Sequence, residues 1–232
     1  MKIVLDAGHG YSTAGKRTPD GMREYEFNRV VANYARTELL KYQDVQVLFT
    51  HSDDRDVPLS ERCRAANNWK AELFVSIHAN AFGNGGWADS AHGIETYIHP
   101  VTNSNTPKIA KAIHDSLIKA TGRRDRGVKT ANFQVLRETD MSAVLAECGF
   151  MTNREEAALL KTSAYRKKCA LAIVDGIVSH YKLKKKPTPK PEQPKSNGLY
   201  KVQTGAFSNK ENAEKLAEQL KKAGFDTYIV RQ

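Results

Sequence analysis

Three cysteines in 232 residues are too few, and too scattered, for a disulfide framework. Cys63, Cys148 and Cys169 are odd in number, lie in apolar surroundings and show no paired spacing, so a cysteine zinc site is excluded too, and core filling is expected. The chain also lacks any apolar run near the ~20 residues that cross a bilayer. Met1-Lys2 leads directly into IVLD, without the apolar stretch and cleavage site of a secretory signal. The expectation is synthesis in the cytoplasm and no stable membrane insertion. Zinc-finger spacing, an RNP-type aromatic motif and a basic heptad helix are all missing, so nucleic acid is not the expected partner. There is no H-E-x-x-H, which excludes the short-motif zinc proteases.

What the chain does have is a core-sized apolar fraction, 40%, and a net charge of +10. The charge is uneven: from Leu183 onward eleven Lys and Arg face five Asp and Glu, so six of the ten positive charges lie in the last 50 residues. Such a tail attracts polyanions, among them the teichoic acids and phosphates of a bacterial envelope. KKKPTPKPEQPKSN, residues 184–197, holds four of the eight prolines and no apolar residue, which predicts an extended, solvated linker.

Before the linker, strand-like and helix-like segments alternate. KIVLD, VQVLFT, LFVSIH, GIETYI and SAVLAE are short apolar or β-branched runs; EFNRVVANYARTELLKY and TPKIAKAIHDSLIKA carry apolar residues at helical spacing. Two closing helices follow, the first begun by Asn153 with Glu156 in capping position. The alternation predicts an α/β fold with a mostly parallel central sheet flanked by helices on both sides.

In such a sheet ligands gather outside the carboxyl ends of the strands. DAGHG closes the first strand and leaves His9 at the rim; LFVSIH ends likewise in His78. Two imidazoles converging from parallel strand ends suit Zn²⁺, which in catalytic sites takes three protein ligands. Glu24, at the start of the first long helix, is a candidate third ligand, with neighbouring Glu26 competing. Glu147 ends SAVLAE and could serve as a general base beside the metal. Each residue also has a plainer reading, as a hydrogen-bonded histidine or a helix-start acid.

DAGHG, GMREYEFN, LSERCRAANNWKAELFVSIHANA, GIETYI and NFQVLRETDMSAVLAECGFMTN together resemble the zinc-dependent N-acetylmuramoyl-L-alanine amidases of type 3, over about residues 1–181. The likeness is to amidases that lyse mother cells of Gram-positive spore formers and to phage endolysins. It implies His9, Glu24 and His78 as ligands of one Zn²⁺ and Glu147 as the catalytic residue. The implied reaction is hydrolysis of the amide between N-acetylmuramic acid and L-alanine in peptidoglycan, with lysis of the wall. One departure is Thr50-His51-Ser52-Asp53, where the family usually has Thr-Arg. Asn80 and Arg137 are candidate substrate contacts, Asn80 equally a loop brace; Arg123, Arg124 and Arg126 either meet peptide carboxylates or solvate a loop, and the loop is the expectation. His51, His92, His99, His114 and His180 read as surface or structural. A wall-binding module without catalysis would lack one of the four site residues, and a zinc carboxypeptidase is the second enzymatic alternative.

GLYKVQTGAFSNKENAEKLAEQLKKAGFDTYIVRQ predicts strand, helix, strand, with a Ser208–Glu211 capping box, an apolar stripe of Ala213, Leu216, Ala217 and Leu220, and Gly224 at the helix end. It resembles one repeat of the sporulation-related (SPOR) peptidoglycan-binding domain, in which two such halves share a sheet. A lone half of this size rarely folds unaided, which predicts a homodimer through the tail, with a loosely ordered basic tail as the alternative. By the resemblance its target is glycan, and Tyr200, Gln203 and Phe207 are candidate contacts. The expected organisation is a catalytic domain at 1–181, a Lys/Pro-rich linker at 182–197 and a small β-α-β wall-binding unit at 198–232.

Overall fold

The computed structural model describes residues 1–14, 16–187 and 202–230. The chain divides into two compact units, Met1–Pro187 and Thr188–Gln232.

In the first unit six strands form one sheet in the order β2-β1-β3-β6-β4-β5. These are β1 (Lys2–Ala7), β2 (Gln46–Phe49), β3 (Leu73–Asn80), β4 (Ile94–Ile98), β5 (Asp125–Thr130) and β6 (Ser142–Phe150). β2, β1, β3 and β6 are mutually parallel, and β4 runs antiparallel to β6 with β5 parallel to β4. The reversal matters for the site: it brings the amino end of β4 to the edge where β1, β3 and β6 have their carboxyl ends. The central strands are buried on both faces, as their near-continuous apolar sequences require.

Helices cover both faces. α1 (Glu24–Leu39), α3 (Thr106–Thr121) and α6 (Ser163–Tyr181) pack over the larger core, built on Ile3, Leu5, Val75, Ile77, Val144 and Ala146. α2 (Leu59–Asn68) and α4 (Gln134–Arg137) cover the smaller core around Val4, Phe74 and Leu145. α5 (Arg154–Leu160) begins at Asn153, whose side chain accepts from Glu156 N. The Glu156 carboxylate does not close the box; it turns inward to accept from Phe150 N and Gly93 N at 2.7 and 2.8 Å. All three cysteines are free and buried.

Two stretches depart from the sequence reading. GRRDRGVK, expected as a loop, contains edge strand β5. The linker does not begin at residue 182: Gln43 N donates to Lys184 O and Lys186 N to Lys41 O, an antiparallel bridge of Tyr42 with Lys185 that ties the backbone to the turn after α1. Residues 188–197 of the expected linker lie outside the described residues.

In the second unit α7 (Lys210–Lys222) is capped by Asn209, which accepts from Glu211 N, in place of the Ser208–Glu211 box. Gly224, at φ 89°, ends the helix as expected. Among the described residues 202–230 neither flank of α7 is a strand, contrary to the strand–helix–strand expectation. A strand needs a neighbour for its N–H and C=O groups, and half a sheet offers too few. Val202, Phe225, Tyr228, Ile229 and Val230 are all exposed. No helix among the described residues is long and apolar enough to cross a membrane.

A buried node stabilises the edge of the sheet where β1 ends. Arg62 on α2 and Asp6 on β1 are each almost fully buried and pair at 2.9 Å. Burial alone would raise the Asp6 pKa, but the Arg62 guanidinium and the hydroxyls of Ser76 and Thr50 outweigh it and hold it below its ordinary 3.8. Arg62→Ala is therefore expected to cost about 3–5 kcal/mol, by leaving a buried carboxylate unpaired. A depressed folded pKa contributes stability that is present above the unfolded value and lost as pH falls through the folded one, so urea titrations of the unsubstituted chain below pH 4 should show that loss. A second test probes the helix layer. A Cβ on Gly176 of α6 would lie 2.6 Å from Ile113 Cα of α3, so Gly176→Ala should destabilise by about 1–3 kcal/mol in thermal or urea unfolding.

Candidate metal centre

The DAGHG turn is shaped by close approach. A Cβ on Gly8 would sit 2.0 Å from His78 Cε1, so only glycine lets β1 pass the imidazole; one on Gly10 would collide with Asp56. His9 takes the left-handed conformation, at φ 64°, which turns its side chain out of the strand path. Arg62 secures this turn from beneath, with Nη1 donating to Ala7 O at 2.6 Å and Nη2 to His9 O at 2.5 Å.

Glu24 opens α1 and is 3% exposed, with Oε2 3.1 Å from His9 Nε2 and Oε1 2.9 Å from His78 Nδ1. Ala79 N and Asn28 Nδ2 also donate to Oε1. Burial would raise the Glu24 pKa, but the two histidines hold it far below the usual carboxylate range. Burial would likewise depress the His78 imidazole, and Glu24 more than reverses this. Glu26 does not compete for the cluster, because its carboxylate accepts from Arg23 N and caps α1.

His78 is braced from behind. Its Nε2 lies 3.0 Å from Ser76 Oγ, which donates to Asp6 Oδ2 at 2.7 Å. With Nε2 engaged there, Nδ1 is the nitrogen facing Glu24. One donor atom from each of His9, Glu24 and His78 falls within 4.8 Å of the others, an arrangement that could hold a metal ion.

Glu147 lies beside the cluster. On β6 it is the register partner of His78 on β3 and of Glu95 on β4, so the three side chains share one face of the sheet. Burial pushes its carboxyl up to about 8, His78 opposes the rise, and the charges of Glu24 and Glu95 add to it. Glu147 Oε2 is buried without a hydrogen-bond partner among the described residues. A buried oxygen left unpaired in this way needs a missing partner, and its neighbours are the donors of a cation site.

The other expected contacts fare differently. Asn80 donates through Nδ2 to Glu95 Oε1 at 2.5 Å and accepts Ala81 N at Oδ1, which makes it a brace of the site edge. Arg137 on α4 donates to Asn132 Oδ1 and Glu138 Oε1. Arg126, read as a loop residue, lies on β5 and pairs with buried Glu95. Gln203 donates weakly to Gly205 O and Phe207 is 47% exposed, both in the second unit; Tyr200 lies outside the described residues. At the Thr-Arg departure Thr50 donates to Asp6 and His51 Nδ1 accepts from Ala7 N, while Asp53 pairs with Arg29. His114 is buried between Thr96 and Asp125, a structural role.

Sequence reasoning missed Arg62, Ser76, Asn28 and Glu95, which lie within the quoted motif segments and orient the site, but to which the sequence alone assigned no role. Their only signal was position: Ser76 and Glu95 lie on strands that reach the site edge.

Comparison with known proteins agrees with this geometry. The N-acetylmuramoyl-L-alanine amidase family model matches residues 3–179, and the SPOR domain model matches residues 182–232. The chain is 38% identical to the N-acetylmuramoyl-L-alanine amidase CwlM of Bacillus licheniformis, over 99% of this chain and 85% of that protein. It is 39% identical to a sporulation-specific N-acetylmuramoyl-L-alanine amidase of Bacillus subtilis, over 99% and 84%. Among solved structures, the catalytic domain of CwlV, an N-acetylmuramoyl-L-alanine amidase from Bacillus (Paenibacillus) polymyxa, superposes with a TM-score of 0.72 at 36% identity, covering 79% of this chain and 99% of that one. With its glycine-framed histidine turn, its buried Glu24 and these matches, the chain belongs to the N-acetylmuramoyl-L-alanine amidase family and carries a SPOR domain at its C-terminal end.

Proposed function

We propose that the chain hydrolyses the amide between N-acetylmuramic acid and the L-alanine of peptidoglycan stem peptides, with His9, Glu24 and His78 holding one Zn²⁺ and Glu147 moving the proton. The observation that carries this reading is the unpaired, buried Glu147 Oε2 set beside a two-histidine, one-carboxylate cluster. Bound there, zinc supplies a Lewis acid that acidifies water and polarises a carbonyl. Glu147 Oε2 accepts the proton of the attacking water and returns it to the leaving amine of L-alanine. Its raised proton affinity suits a group that must both take and give. Ser76 and Asp6 hold the His78 ring in one orientation, and Arg62 holds the backbone that carries His9.

The second unit retains the enzyme on its polymer. The six excess positive charges from Leu183 onward favour wall polyanions such as teichoic acid, and the SPOR match supports glycan binding. The unit's exposed Val202, Phe225 and Ile229 support a homodimer through the tail. The substrate lies outside the membrane, so the wall is the site of action, with synthesis in the cytoplasm of a sporulating mother cell or a phage-infected host.

Glu147→Gln should lower kcat by about 10²–10⁴-fold while the protein still retains one equivalent of zinc; His78→Ala should lose both. The assay is release of L-alanine amino termini from purified peptidoglycan without new reducing sugar, with metal content measured alongside. Reducing sugar in place of amino termini would contradict the reaction. For the tail, sedimentation should give a dimer for the full chain and a monomer for a version ending at Pro187; equal monomers would remove the dimer.

A further inference from the structure

Glu95 sits beyond Glu147 on the same face of the sheet and is 3% exposed. Its carboxylate is fully engaged. Asn80 takes Oε1, while Oε2 takes Arg126 Nε at 3.2 Å and the Lys129 ammonium. These contacts hold Glu95 below its ordinary pKa although burial opposes them, so it is an anion and not a second general base.

Both cations come from β5, and the chain bends to deliver them. Ile94 pairs with Asp125 and Thr96 with Val128, so Arg126 and Gly127 together oppose Glu95. Gly127, at φ 83°, makes the bulge that re-aims Arg126 at the site edge. The Arg126 guanidinium also lies over the Phe150 ring, 4.9 Å from its centroid. A single cation would neutralise Glu95. Two leave one positive charge in excess, on side chains that still reach solvent: Arg126 is 26% exposed and Lys129 38%. Next to Lys129 in register, Tyr97 stacks edge-on with Phe133, which is 42% exposed and forms an open wall.

We infer that Arg126 and Lys129, oriented by Glu95, form a carboxylate-binding subsite beside Glu147 that receives an acidic group of the stem peptide near the scissile amide. This rests on the amidase reading above and extends it to substrate choice. Arg offers paired donors that match a carboxylate, and Lys129 adds a point charge. Glu95 does not touch the reacting atoms; it is a positioning residue for the two cations.

The test uses the full chain with bound zinc and two synthetic muramoyl peptides. They are identical except that the α-carboxyl of the second peptide residue is free in one and a carboxamide in the other, all remaining peptide carboxyls being blocked. The unsubstituted enzyme should prefer the carboxylate by about tenfold in kcat/KM, mainly through KM, the scale expected of one charge-assisted contact. Arg126→Gln should bring the ratio to within about twofold, and Arg126→Lys should restore part of it. Lys129→Gln, on an exposed edge position, gives the same readout should Arg126→Gln fail to fold. Equal cleavage of the two peptides by the unsubstituted enzyme, or a ratio that survives both substitutions, overturns the subsite. Competition of poly(glycerol phosphate) against the carboxamide peptide, lost on substituting Arg126, would assign the cations to wall phosphate and overturn it as well. Failure to cleave either peptide would instead count against the amidase reading.

Discussion

One buried guanidinium governs the geometry of the site. Arg62 comes from the helix layer, reaches under the end of β1 and binds Asp6, Ala7 O and His9 O at once, with Nε on Val57 O. Taking an ion pair out of water rarely adds much net stability, so its value lies in specifying one arrangement of the backbone it touches. Here that backbone is the turn bearing His9. The same Asp6 accepts from Ser76, which orients His78. A single carboxylate thus couples the two histidines that must point at one place, although they are far apart along the chain. Gly8 completes the device, because the His78 ring occupies the space where any side chain on residue 8 would go.

The electrostatics follow from strand direction. Three parallel strands bring His9, His78 and Glu147 to one edge, and the antiparallel β4 adds Glu95 there. Carboxylates at 24, 147 and 95 would repel one another in so dry a place. The protein separates their roles by partners: Glu24 lies between histidines and Glu95 between cations, and both stay charged. Glu147, given no partner among the described residues, is the one whose proton affinity rises. The carboxyl left without a hydrogen-bond partner at Oε2 is the one to which the proposed mechanism assigns the proton.

Much of this was legible in the sequence, and the exceptions have physical causes. His9 and His78 were visible because short apolar runs end abruptly in them, and strand ends are where parallel sheets keep ligands. Glu24 was separable from Glu26 only in three dimensions, since both start the same helix and only the cap bond to Arg23 assigns Glu26 elsewhere. Arg62 was hidden in SERCRAANN, where a charge on a helix normally faces water. β5 escaped notice because an edge strand may be charged: Asp125, Arg126 and Lys129 replace the apolar alternation that marks inner strands. The tail's flanking segments have strand-like composition, yet composition cannot supply the neighbouring strand that makes one.

The division of labour between the two units has an energetic logic. Hydrolysis needs groups held in place beforehand, which the first unit supplies from its own sheet and helices. Retention on an insoluble polymer needs only weak contacts repeated along it. Two modest sites on linked chains raise effective affinity without tightening either contact, because the second binding event occurs at a high local concentration. The pairing of tails proposed above would tie two catalytic units to one wall. Each contact could then release quickly enough for the enzyme to move on, while the pair as a whole stays bound.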